Sequence, residues 1–222
     1  MPIESFERLL VHSAPAFACH ACGDPQEKEA FIAPVSHVAH PPATAAALQR
    51  IPRVPGADAA RAFFASHDGG AIYTAKGLRS DPGGDDEGIE IFPLHEWGAR
   101  TKEVLDFWNA SEYEDDEMPY GRDDFIAIAH SRGASTYIHW VVRGRHAGSV
   151  YWWPTTMPPE KHDGPLAADF GKFIETICTQ PVHFLNDLLF CYTRFSDGKT
   201  KTQWIPKRYI PDRRSVGIPA EG

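Results

Sequence analysis

The sequence predicts an α+β domain, with a mostly antiparallel sheet flanked by helices. Strand-like segments arrive in runs and do not alternate one for one with helices, which argues against a parallel βαβ fold. Apolar residues recur at steps of three and four in a long central stretch and again near both ends. With 42% hydrophobic and 12% aromatic residues among 222, the chain has enough apolar material for a sizeable core. That length fits one elaborated domain.

The elements follow in order. Ile3, Phe6 and Leu10 mark a short first helix. Residues 14–56 are rich in Pro, His and Ala and read as irregular, apart from a turn of helix at 44–49. Asp58 reads as the cap of a helix carrying Ala59, Ala60, Phe63 and Phe64, ended by Asp68-Gly69-Gly70. Residues 71–76 and 88–92 read as strands joined by a loop at 80–86 with turn chemistry throughout. Leu94, Trp97, Thr101, Val104, Leu105 and Trp108 then form one helical stripe holding two tryptophans. Three strands follow an acidic loop, at 124–130, 135–142 and 149–153. Asp163-Gly164-Pro165 predicts a helix start, with Leu166, Phe170, Phe173, Ile174 and Ile177 on its apolar face. A further helix is expected after Pro181, through Val182, Leu185, Leu189 and Tyr192.

Charge narrows the function. Thirty acids against 22 bases give a net charge of −8, which disfavours nucleic acid and anionic membranes as general partners and favours a basic protein. The excess is concentrated: residues 81–124 hold fifteen acids and only Arg100, Lys102 and Arg122 as bases. Lys199, Lys201, Lys207, Arg208, Arg213 and Arg214 make a basic tail. The start has no basic segment leading into an apolar run, and no stretch approaches the roughly 18 apolar residues of a membrane span. Four cysteines are too few for a disulfide-built scaffold, so a reduced, cytoplasmic protein is expected.

Familiar catalytic motifs fail on inspection. Asp197-Gly198-Lys199-Thr200 ends like a phosphate-binding loop, but Thr193 stands where the earlier glycine is required. His95-Glu96-Trp97-Gly98-Ala99 begins like a zinc-protease helix and lacks the second histidine. Cys19-His20-Ala21-Cys22-Gly23 resembles a zinc knuckle, and His37 and His40 lie downstream where they could complete a tetrahedral structural site. Their mutual spacing is one residue shorter than usual, and local packing of the same groups is the alternative. Glu112, Tyr113, Glu114, Asp115, Asp116 and Glu117, with Asp123 and Asp124 beyond, form either a solvated loop or a docking face for a basic partner. Tyr113 and Tyr120 would suit the centre of such a face. In Tyr151-Trp152-Trp153, alternation sends Trp152 to the opposite side from its neighbours, so one side is a candidate patch.

The order of these pieces resembles the SUKH superfamily, the domain of the Smi/Knr cell-wall regulators of fungi, over about three-fifths of the chain, residues 48–185. Ile51-Pro52 with Phe63-Phe64-Ala65-Ser66-His67-Asp68-Gly69-Gly70 is similar to that family's opening helix and its terminal turn. Ile89-Glu90-Ile91-Phe92, Phe125-Ile126-Ala127-Ile128-Ala129 and Gly148-Ser149-Val150-Tyr151-Trp152-Trp153 are similar to its strands. Leu166 to Ile174 is similar to its closing helix, whereas His139-Trp140 and Pro154 depart from its usual acidic residues. The resemblance implies a domain without catalytic chemistry. Bacterial members commonly neutralise a cognate toxin as immunity proteins, and eukaryotic members act as interaction scaffolds. The expected organisation is an N-terminal extension (1–45), a SUKH-like domain (46–185) and a helix end with basic tail (186–222). The expected function is a non-enzymatic, cytoplasmic immunity protein whose acidic loop, with Tyr120 and Trp152, covers a basic toxin domain such as a nuclease. The alternatives are a peptide-binding scaffold or regulator, and a protein stabilised by zinc on Cys19, Cys22, His37 and His40.

Overall fold

The computed structural model describes residues 2–11, 17–20, 32–34, 36–75, 87–110, 119–131, 136–154, 164–179 and 193–196. In chain order the elements are α1 (Pro2–Val11), β1 (Phe17–His20), β2 (Ile32–Pro34), β3 (Ser36–Ala39), α2 (Ala45–Leu48), α3 (Ala57–Ser66), β4 (Gly70–Ala75), β5 (Glu87–Ile91), α4 (Trp97–Ala110), β6 (Phe125–Ser131), β7 (Thr136–Val141), β8 (Val150–Pro154), α5 (Phe170–Thr179) and β9 (Thr193–Ser196). Strands β3 to β8 pair in sequence order into a six-stranded, wholly antiparallel sheet. A second sheet has the order β2-β1-β9, also antiparallel. The α+β class predicted from the run of strands is the class observed.

Cross-strand register sorts the main sheet into two faces. One carries Ile72, Ile89, Ile91, Ala129, Ile138, Trp140 and Val150, each at most 1% exposed. Helices α1, α3 and α5 pack on one another over this face. Phe170 is the junction: its ring lies 5.7 Å from Phe63, 5.5 Å from Phe64 and 5.6 Å from Trp140. Phe6 of α1 meets Phe63 edge-on at 4.9 Å. Tyr73 reaches this layer from β4 because its backbone is left-handed (φ 54°), and its hydroxyl donates to the Ile177 carbonyl at 2.9 Å. Helix α4 packs against β6, with Phe107 and Trp108 meeting Tyr137, Phe125 and Trp153 of the opposite face.

Where β5 ends, α4 takes over the edge of β6. The Thr101 hydroxyl donates to the Trp97 carbonyl (2.7 Å) and accepts from the Ala127 amide (3.0 Å), beside the register shift between Ala127 and Ala129. Thr101→Val keeps the shape and orphans that amide. It is expected to cost about 1–2 kcal/mol, read as a lower urea midpoint at unchanged slope.

Several local expectations are corrected. Helix α5 begins at Phe170, five residues after Pro165, because Ala167 pairs with Val150 as a β-bridge and the Asp169 carboxylate caps the Lys172 amide at 2.8 Å. Gly56, in the left-handed region (φ 83°), precedes α3 where Asp58 was expected to cap it; Asp58 instead pairs with Arg61 at 3.0 Å. Asp68 lies beyond the helix and accepts the Leu94 amide at 2.8 Å. Gly69 (φ 84°) is required there, since a Cβ would stand 2.2 Å from the Ile91 carbonyl oxygen. Residues 14–56, read as largely irregular, supply β1, β2 and β3. Helix α1 and strand β3, both before residue 46, pack with the elements after it. The helix expected after Pro181 lies outside the described residues, and Thr193–Ser196 beyond it is a strand.

Candidate functional site

The second face of the sheet is covered unevenly. One cross-strand row runs Val38, Ala71, Glu90, His130, Tyr137, Trp153 from β3 to β8. Exposure falls along it from 58% at Val38 to 4% at Tyr137 and 1% at Trp153. Ala71, Glu90 and His130 are half-buried between these extremes. Helix α4 explains the gradient, since its Trp108 stacks on Phe125 at 6.0 Å and lies tilted against Trp153 at 5.8 Å. Val38, at the β3 end of the row, is its exposed member.

At the border of that cover stands Phe107. It is 46% exposed and 6.5 Å from Tyr137. Its surroundings are charged: Arg100 pairs with Glu96 (3.0 Å) and Glu103 (3.2 Å) while covering the Phe92 ring at 4.8 Å, and Lys102 pairs with Asp106 at 2.5 Å. Helix α4 is itself neutral, Arg100 and Lys102 against Glu103 and Asp106, and Glu96 just before it adds one negative charge. The Tyr137 hydroxyl donates to Glu103; burial first, then that carboxylate, raises it above the ordinary tyrosine range. His130 stacks on the same ring at 4.4 Å. Phe107 thus lies beside an aromatic pair, Tyr137 and His130, and among the Arg100–Glu103 and Lys102–Asp106 pairs.

The residues singled out from sequence are not gathered here. Glu112, Tyr113, Glu114, Asp115, Asp116 and Glu117 lie outside the described residues. Tyr120 is corrected to a core residue: it is 6% exposed and its hydroxyl meets His139 Nδ1 at 2.7 Å, beneath Phe125 and Tyr151. Asp124 holds a turn, accepting the Gly121 amide at 3.0 Å. Trp152 is half-buried in β8 on the helix-covered face, in register with Ile138, and so points away from Phe107. Tyr151 and Trp153 are both buried on the side opposite Trp152, in accord with the alternation. Phe107, Glu103 and Val38 went unnoticed and Glu90 was read only as a strand residue, although Phe107 had a signal: a large aromatic one position off the Trp97–Trp108 stripe, among charges.

The four metal candidates fare differently. Cys19 lies on β1 opposite Ile32 and Arg194, and Cys22 is outside the described residues. His37 Nδ1 accepts the Tyr73 amide (3.1 Å), which puts its proton on Nε2; His40 Nδ1 faces the Asp68 carbonyl at 3.0 Å. Metal ligation by His37 would have to break the Tyr73 bond. Among the described residues, no three His, Cys, Asp or Glu side chains converge as ligands.

Burial lowers the His37 pKa to about 4 from 6.5. Between those values the unfolded chain binds the extra proton. Stability contributed by neutral His37 is therefore complete above about pH 6.5 and is lost as pH falls toward 4, on the order of 2 kcal/mol. His37→Asn keeps an acceptor and removes the titration. Urea midpoints at pH 7 and 4.5 are expected to separate less in the variant than in the wild type.

No model of a known protein family matches this chain, and no curated protein does. No helix among the described residues is long and apolar enough to cross a membrane.

Proposed function

We propose that the chain is a non-enzymatic, cytoplasmic binding protein of the immunity type, which neutralises a basic toxin domain such as a nuclease by covering its working surface. The observation that carries this reading is Phe107, 46% exposed on α4 next to Asp106, at the Tyr137 end of the cross-strand row that runs through Glu90 and Ala71 to Val38. An exposed aromatic within a charged rim supplies both an anchor and a steering field. Glu112, Glu114, Asp115, Asp116 and Glu117 follow α4 directly in the chain and add to the same sign of charge. The SUKH resemblance favours the same assignment.

The test is affinity for basic nuclease toxin domains, measured between about 50 and 500 mM NaCl. Binding should weaken at least tenfold over that range, and again in D115K/D116K/E117K. Affinity indifferent to both changes would defeat the acidic-face reading. It would favour instead a peptide-binding scaffold that uses the half-buried Trp152 on edge strand β8.

A further inference from the structure

A different part of the molecule has the opposite charge. The chain between α2 and α3 folds around a groove of about 950 Å³ whose lining includes Leu48, Ile51, Pro52, Arg50, Arg53 and Arg61. Ile51 is 3% exposed and anchors the turn in the core. Arg61 is held in place, its guanidinium 3.0 Å from the Asp58 carboxylate and 3.4 Å from the Ile51 carbonyl. Arg50 and Arg53 are exposed, and among the described residues neither has a carboxylate partner. A second loop packs beside this turn: Gly148 fits so closely against Pro55 that a Cβ on it would lie 2.7 Å from the Pro55 Cβ. That loop carries exposed Arg143 and Arg145 outside the groove lining, with the Asp124 carboxylate 3.4 Å from where a Cβ on Gly144 would stand between them.

We propose that this groove is a binding site for a phosphate-bearing small molecule of nucleotide size. The three cations that line the groove are all arginines, whose planar guanidinium fork matches phosphate oxygens two at a time. Among the described residues Asp58 is the carboxylate paired with one of these three, so the groove keeps a positive excess within a chain of net charge −8. A singly charged ligand needs one arginine; three around one groove suit a chain of phosphates. The half-buried Leu48 and Pro52 offer an apolar surface for a base or another flat apolar group, and the volume lies within the range of ligand sites. The site is separate from the acidic face and does not depend on it.

Titration calorimetry of the full chain with ADP, with inorganic tripolyphosphate and with a twelve-nucleotide single-stranded DNA tests the assignment. Saturable ADP binding that falls at least tenfold in R50E/R53E is the expected result. Tripolyphosphate matching ADP would locate the recognition in the phosphates alone; weaker tripolyphosphate binding would show that the apolar surface contributes. The assignment is overturned if ADP and tripolyphosphate both fail to saturate, if binding survives R50E/R53E, or if the DNA binds more tightly than ADP. Circular dichroism of the variant confirms that it is folded, since both substituted side chains are exposed.

Discussion

Phe107→Ala combined with Asp106→Lys is expected to weaken binding of a basic partner by about 2–4 kcal/mol, roughly thirty- to a thousand-fold. The variant itself should stay as stable as the wild type. Phe107 is 46% exposed, so its truncation opens no cavity in the free protein. The Lys102–Asp106 pair, with side chains 73% and 62% exposed, contributes little to folding. Glu103 is the wrong position for this purpose, because it also receives the Tyr137 hydroxyl and the Arg100 guanidinium. Most of the loss should appear in the dissociation rate for Phe107 and in the salt dependence of association for Asp106.

Trp140→Ala is expected to destabilise the fold by about 3–5 kcal/mol. Trp140 is fully buried against Trp97 (6.1 Å) and Phe170 (5.6 Å), and its indole donates to the Gly148 carbonyl at 3.0 Å. Truncation leaves a cavity where α3, α4 and α5 meet the sheet, and it orphans that carbonyl. Against a total stability of about 5–15 kcal/mol, the loss is severe. For a chain of this length it corresponds to a fall in Tm of roughly 10 °C. Trp152→Ala, two strand positions from Val150 on the same face but only half-buried, should cost less than half as much. Equal effects from the two substitutions in urea unfolding would contradict the assigned core.

How much of this was legible in the sequence depended on length and periodicity. Strands β4 to β8 and helix α4 announced themselves because each has several apolar residues at a single period. Ser36–Ala39 did not: it is a four-residue edge strand with one aliphatic side chain larger than alanine, Val38, and that side chain faces outward. The start of α5 was misplaced because Pro165 is a local signal, whereas the Val150–Ala167 bridge that overrides it joins distant parts of the chain. Tyr120 lies 19 residues from His139, and sequence alone cannot foresee that their 2.7 Å contact draws it inward. The candidate site was half legible. Its charge could be counted, but the place of Phe107 depended on knowing how α4 covers the sheet.

Hydroxyl-radical footprinting of the chain with and without a bound basic toxin domain tests the central claim most directly. Occupancy of the half-open face should shield Phe107 and Val38 from oxidation while leaving Trp152 as reactive as before. Unchanged oxidation of Phe107 and Val38 in a formed complex, with shielding elsewhere, would contradict it.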